Sequence, residues 1–295
     1  PLVADIHFDW RLAVESVKQG ADKIRINPGN IGSREKVRQV VLACKEAKIP
    51  IRIGINSGSV KNVSRKWEVG SRQSEVGSSI LAEMMSATVA DYVAMFEDWG
   101  FTNIVISLKA SDVFSTIEAY KKTAEKINYP LHIGITEAGP AGSGTIKSAV
   151  GLGVLLHSGL GDTLRVSLTA DPVEEVKAGY LILQSLNLRS YGIDLISCPT
   201  CARCSTNIEK LVKEFEKRIT AQPGKLLNRS KPLKVAIMGC EVNGPGEARH
   251  ADIGIAGGKN TGLLFIKGKP VKKLKPSEWI NELLKQIKSR NASNF

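Results

Sequence analysis

This sequence predicts an α/β chain: a (β/α)8 TIM-type barrel followed by a small α+β domain. Three observations point there. Strand-like runs alternate six times with amphipathic helical runs through about residue 190, the pattern of parallel strands joined by right-handed crossovers. Those strands are apolar on one parity and polar, often cationic, on the other. Beyond Tyr191 the alternation stops, and shorter strands surround a group of cysteines.

The expected barrel strands are Leu2–Phe8, Lys23–Asn27, Ile51–Asn56, Ile104–Lys109, Leu131–Thr136 and Leu164–Thr169. The helices between them are expected at Trp10–Gln19, Arg34–Ala47, Gln73–Trp99, Val113–Ile127, Gly144–His157 and Pro172–Leu188. No G-x-G-x-x-G follows the first strand, which disfavours an open nucleotide-binding sheet. A barrel of about 250 residues needs eight such units, so two strands, roughly 70 residues, are expected ahead of Pro1. In the second part, strands are expected at Asp194–Ser197, Leu233–Met238, Asp252–Ala256 and Leu263–Ile266, with helices at Asn207–Ile219 and Pro276–Lys288. The domains expected are therefore 1–190 and 191–295, joined by a linker near Tyr191.

Parallel strands buried on both faces read as continuous apolar runs; these do not. Ile24, Ile26, Ile51, Ile53, Ile55, Ile104, Ile106 and Leu108 share one parity and must face the helices. The other parity then points into the barrel. It carries Asp5, His7, Arg25, Asn27, Arg52, Asn56, Ser107, Lys109, His132, Thr136, Arg165 and Ser167. Four cations in one lumen with few carboxylates cannot all be neutralised internally without a large desolvation cost. A bound polyanion at the C-terminal mouth resolves this. Two Gly-rich turns at that mouth, from Asn27 to Gly32 and from Thr136 to Gly144, offer backbone N–H groups to phosphate. Glu137 opens the second turn. It is a candidate acid or base, with an ion pair to Arg165 or Lys109 as the structural alternative.

The chain carries +12 at neutral pH. It has no block of five basic residues and no aromatic-interleaved basic segment, so nucleic acid is not an expected partner. The lysines at 267, 269, 272, 273 and 275 read as a solvated face. No apolar run reaches the ~18 residues of a membrane span; the longest is Ala149 to Leu156.

Five cysteines, three of them within Cys198–Cys204, indicate metal binding in a reducing cytoplasm rather than a disulfide framework. Cys198 and Cys201 form a Cys-x-x-Cys turn, and Cys240 opens a Gly/Pro-rich stretch that ends in Glu247. Spacing alone leaves structural zinc, an iron–sulfur cluster and a redox dithiol open. Counting thiols would choose Cys198, Cys201, Cys204 and Cys240. Cys44, on a helix, reads as an inert buried thiol.

Runs from end to end of the chain resemble a known family. They include Leu2-Val-Ala-Asp-Ile-His-Phe8, Ile24-Arg-Ile-Asn-Pro-Gly-Asn-Ile-Gly32, Lys109-Ala-Ser-Asp-Val-Phe114, Gly134-Ile-Thr-Glu-Ala-Gly139, Gly161-Asp-Thr-Leu-Arg-Val-Ser-Leu168, Cys198-Pro-Thr-Cys201 and Cys240-Glu-Val-Asn-Gly-Pro-Gly-Glu247. The family is the 4-hydroxy-3-methylbut-2-enyl diphosphate synthases, iron–sulfur enzymes of the methylerythritol phosphate route to isoprenoids. The resemblance implies reductive ring opening and dehydroxylation of 2-C-methyl-D-erythritol 2,4-cyclodiphosphate. It implies a [4Fe–4S] cluster on Cys198, Cys201, Cys240 and Glu247. Arg25, Arg52, Lys109, Arg165 and Ser167 then hold the diphosphate, Asn27, Asn56 and catalytic Glu137 lie near the reacting carbons, and Asp5 and His7 line the same mouth. Glu247, a weaker ligand than thiolate, has a catalytic role in giving way to substrate. It further implies ferredoxin or flavodoxin as electron donor and a head-to-tail homodimer. The competing reading is a zinc-stabilised barrel lyase or phosphatase acting on a phosphorylated small molecule.

Overall fold

The computed structural model describes residues 1–60, 75–189, 192–221, 232–240, 242–258 and 260–292. The start of the helix expected from Gln73 and the linker position Tyr191 lie outside these residues. The described chain divides into two compact units, Pro1–Ile182 and Leu183–Phe295.

In the first unit, β1 (Val3–Ile6), β2 (Lys23–Ile26), β3 (Ile51–Asn56) and β4 (Ile104–Lys109) form a parallel sheet in sequential order. The parallel pair β5 (His132–Ile133) and β6 (Thr163–Leu164) follows. The Ile106–Leu131 bridge joins it to β4. The helices are α1 (Trp10–Lys18), the one-turn α2 (Pro28–Ile31), α3 (Arg34–Ala47), α4 (Glu75–Asp98), α5 (Val113–Ala124), α6 (Ala141–His157) and α7 (Pro172–Ser185). Short polar side chains start them. Asp9, Ser33 and Asp112 each accept a bond from a backbone N–H of the first turn. The apolar parity packs as expected: Ile24, Ile26, Ile51, Ile53, Ile55, Ile106 and Leu108 are fully buried against Val37, Val40, Val41, Met85 and Phe96 of the helices.

Four strands are shorter than expected, because their ends are diverted to other work. His7 lies past the end of β1, and Asn27 leaves β2 to cap α2. Beyond Ile133 and Leu164 the chain keeps single bonds, such as Arg165 N–H to Ile133 O at 2.9 Å, without a regular ladder. Glu137 and Gly139, with φ of 51° and 114°, bend it out of line. No uninterrupted apolar run reaches span length, but one helix comes close in average composition, broken by Glu83 and Asp91. Within Gly77–Asp98 of α4, an 18-residue window has a mean hydropathy of 1.2, enough in length and composition to cross a membrane. Ala82, Met85, Val89, Val93 and Phe96 instead pack into the barrel core, while Glu83 pairs with Lys122 and Lys126.

The second unit is a five-stranded sheet ordered β11-β10-β9-β8-β7. β7 (Ile193–Ser197), β8 (Leu233–Met238) and β9 (Ile253–Gly257) are parallel; β10 (Gly262–Ile266) and β11 (Lys269–Leu274) are antiparallel additions. α8 (Ile208–Thr220) and α10 (Trp279–Ala292) share a core with the sheet in which Trp279 is fully buried. α9 (Gly244–His250) packs with Met238, Ala256 and Phe265. Two of these elements were not expected. β11 is lysine-rich, but Lys267 and Gly268, both with positive φ, make the tight hairpin that pairs it. The stretch after Cys240 is no loop: Asn243 starts a helix with Gly244 and Pro245 in its first turn.

Candidate functional site

Strand register sets the lumen. Asp5, Arg25 and Arg52 are direct neighbours across β1, β2 and β3, and Asn56 stands beside Lys109 across β3 and β4. Arg25 Nη1 donates to Asp5 Oδ1 at 2.8 Å. Two inward glycines make room for the cations. A Cβ on Gly54 would lie 2.5 Å from Arg25 Nε, and one on Gly134 would lie 2.6 Å from Arg165 O and 3.4 Å from Lys109 Cε. A glycine inside a strand marks such a close approach.

Lys109 is the unusual member. It is 4% exposed and, among the described residues, has no carboxylate partner. Burial, then the neighbouring charges of Arg165, Arg52 and Arg25, bring its ammonium down to about 6. Burial also lowers Arg52, with Asp5 acting in the opposite sense. Arg165 Nε donates to Ser167 Oγ at 3.1 Å. Among the described residues, Asp5 is the one carboxylate ion-paired to a lumen cation.

Two polar atoms are buried here without a partner among the described residues: Asn27 Nδ2 and His132 Nε2. Asn27 turns its Oδ1 to the Gly29 N–H at 3.1 Å, which leaves its amide donors free. His132 holds Thr163 Oγ1 through Nδ1 at 2.8 Å, and burial together with Lys109 keeps its ring neutral. His132 belongs to the inward parity but not to the expected site set. Tyr120 was also missed. Its hydroxyl accepts from Leu108 N–H at 2.9 Å and donates to His132 O at 2.6 Å, fixing β4 to β5 beside Lys109. No sequence signal marks a helix tyrosine for that role.

The remaining expected residues are less confined. His7 is exposed, with its ring 6.2 Å from that of Phe8. Glu137 is exposed, in left-handed backbone, and has no ion-pair partner among the described residues. The structural alternative for it, a bridge to Arg165 or Lys109, is therefore not formed. Backbone held in that region marks functional sites more often than ordinary turns.

In the second unit, β7 and β8 run side by side and deliver Cys198 and Cys240 from the same end of the sheet. Gly239 is the hub between them. Its N–H donates to Cys198 Sγ at 3.2 Å, its carbonyl accepts from Ser205 N–H at 3.0 Å, and a Cβ on it would collide with Cys204 Sγ. Backbone N–H groups of Asn243, Gly244 and Val242 lower the Cys240 thiol, while hydrogen bonds from Arg203 lower that of Cys201. Cys198 is raised, mainly by burial. Cys204 Sγ points to Thr206 O at 3.0 Å. Glu247 is exposed in the first turns of α9. Cys44 is fully buried, and its thiol is pushed up to about 12. Among the described residues no three donors stand as a ready-made metal group. The donor set nonetheless fits an iron–sulfur centre: soft sulfurs from two neighbouring strand ends, two of them biased towards thiolate.

Fold and site together define a barrel-type unit with a cluster of inward cations, joined in one chain to a unit that carries grouped cysteines. Comparison with known proteins makes this specific. The model of the GcpE TIM-barrel domain matches residues 1–180, and that of the GcpE protein C-terminal domain matches 194–289. The relative from Caldanaerobacter subterraneus subsp. tengcongensis is 53% identical over 97% of this chain and 76% of its own length. That from Clostridium tetani is 52% identical over 98% and 78%, and that from Clostridium perfringens 51% over the same shares. All three are named 4-hydroxy-3-methylbut-2-en-1-yl diphosphate synthase (flavodoxin). This chain belongs to the GcpE family.

Proposed function

We propose that this chain performs the reaction its relatives are named for, as an iron–sulfur oxidoreductase of isoprenoid precursor synthesis. It opens 2-C-methyl-D-erythritol 2,4-cyclodiphosphate and removes one hydroxyl, giving 4-hydroxy-3-methylbut-2-enyl diphosphate. In neutral-acid bookkeeping two electrons and two protons enter, a C–O bond to the diphosphate breaks, and one water leaves. The observation that carries this reading is Lys109: an ammonium 4% exposed, among three guanidiniums, without a carboxylate partner among the described residues. Such a group is stable as a cation only when an anion enters with it.

Arg25, Arg52, Lys109, Arg165 and Ser167 grip the diphosphate and stabilise the charge that develops on it as the ring opens. Asn27 Nδ2 offers an unused buried donor to a substrate oxygen, and Asn56, Asp5 and His7 complete the mouth. Glu137, held in left-handed backbone and without an ion pair among the described residues, would pass a proton to the departing hydroxyl. Cys198, Cys201, Cys240 and Glu247 would hold a [4Fe–4S] cluster, which supplies single electrons and a Lewis-acidic iron. The Cys204 bond to Thr206 O supports leaving that thiol out of the ligand set. The relatives' names support flavodoxin as donor. Free thiols support a cytoplasmic setting, and a homodimer follows from the family reading. The zinc lyase or phosphatase alternative finds no support among the relatives, whose names give the synthase.

Calorimetric titration with the cyclic diphosphate tests the reading, on the iron-loaded protein and on Lys109→Met. Loss of one charge-assisted contact, ~1.5–3 kcal/mol, is expected to weaken binding by roughly ten- to a hundredfold. Equal binding by the two proteins would overturn the assignment of the lumen.

A further inference from the structure

The charge of this chain is divided very unequally. Pro1–Ile182 holds 21 Lys and Arg against 20 Asp and Glu, a net +1, whereas Leu183–Phe295 holds 20 against 9, a net +11. The lumen cations therefore do not account for the basic character of the protein, because acids elsewhere in their own unit offset them. The excess belongs to the unit with the cysteine centre. A unit this basic attracts and orients an acidic partner.

Strand register shows where that charge comes closest to the cysteines. Met238, Ala256, Leu263 and Lys273 are aligned in turn across β8, β9, β10 and β11. Lys272, Lys273 and the following Lys275 thus sit at the end of the sheet from which Cys198 and Cys240 emerge. Lys267 and Lys269 sit at the opposite end. Three strand spacings, about 14 Å, separate β11 from β8. From Lys269 to Lys273 the edge strand is exposed at every position, and neither Lys272 nor Lys273 has an ion-pair partner among the described residues.

We propose that the Lys272–Lys273–Lys275 end of the β11 edge docks an acidic one-electron carrier, a flavoprotein of the kind printed in the relatives' names, which reduces the cysteine centre. The inference rests on the reductive reading above. Each encounter moves one electron from the reduced carrier, which departs oxidised by one electron, so two encounters supply one turnover. The basic unit of a second copy, at +11, would repel the patch, and the other unit, at +1, offers it no net attraction. Lysines on an edge also discourage strand addition, but that role does not distinguish one end of β11 from the other.

The difference between the ends is the test. Turnover of the iron-loaded protein is measured with reduced flavodoxin and, separately, with dithionite and a viologen dye. Lys272→Glu/Lys273→Glu is expected to raise the KM for flavodoxin tenfold or more at low salt and to leave the dithionite rate within twofold. Lys267→Glu/Lys269→Glu, which changes the net charge equally, is expected to shift that KM less than threefold. Equal effects from the two pairs would overturn the docking site, as would an equal loss of the dithionite rate in the first pair. Loss of binding to a DNA duplex, with the flavodoxin KM unmoved, would overturn it too. No product from the parent with either reductant would instead sink the reductive reading.

Discussion

The barrel unit turns its informative cations inward; the cysteine unit turns its own outward. In the lumen, Lys109 and Arg52 are buried by strand register and destabilised by one another. Strand register assembles that cluster in the chain by itself, at the cost of the Lys109 charge. At the sheet end of the second unit, the thiols lie along turns and a helix start, biased by nearby backbone N–H groups. No three donors there form a closed group among the described residues. A preorganised anion site and a centre completed by its metal are two different solutions. The first costs stability in the free protein, and the second makes local stability depend on metal.

The largest effect that would sharpen this contrast is in the cysteines. Cys240→Ser and Cys201→Ser are expected to lose essentially all bound iron, measured by metal analysis and by the visible spectrum. Cys204→Ser is expected to keep both, because its thiol is committed to Thr206 O. Iron lost from Cys204→Ser alone would make the centre a four-thiolate site and reverse the assignment of Glu247.

Next comes the lumen's dependence on pH. The Lys109 pKa is depressed to about 6 from 10.5, so between these values the unfolded chain holds a proton that the folded chain lacks. Its destabilising contribution is present in full below pH 6 and is relieved as pH rises towards 10.5. Lys109→Met should therefore be more stable than the parent at pH 6, by on the order of 2 kcal/mol or more, in denaturant titrations. Diphosphate binding restores the charge, so at pH 8 it should take up close to one proton. Calorimetry in two buffers of different ionisation enthalpy reads this directly. No proton uptake, with no gain in stability, would mean that Lys109 is already paired in the free protein.

The smallest expected effect is at Gly54. An added Cβ meets Arg25 Nε at 2.5 Å, so Gly54→Ala should push the guanidinium off its place beside Asp5. Affinity for the cyclic diphosphate is expected to fall severalfold to tenfold, with iron content unchanged. Unaltered affinity would show that Arg25 is mobile and that the lumen is less preorganised than its register suggests.

Much of this was legible in the sequence, because period-two alternation is a local signal that states which side of a strand faces which solvent. Ile51, Ile53 and Ile55 had to face the helices, so Arg52 and Asn56 had to face inward, and β3, β4, α3 and β8 have the bounds their residues predict. What depended on distant partners was not legible. β11 is a strand because a hairpin seats it against β10, although its lysines read as a solvated face. The Gly-Pro-Gly stretch after Cys240 is the start of a helix, since proline fits a first turn as well as a loop. Tyr120 bridges β4 and β5 only once both are in place, and the depression of Lys109 arises from strands more than 50 residues apart. The sequence determined which side chains share a face. Tertiary structure decided their separation and dielectric surroundings, which is why the state of Lys109 appears only in the folded chain.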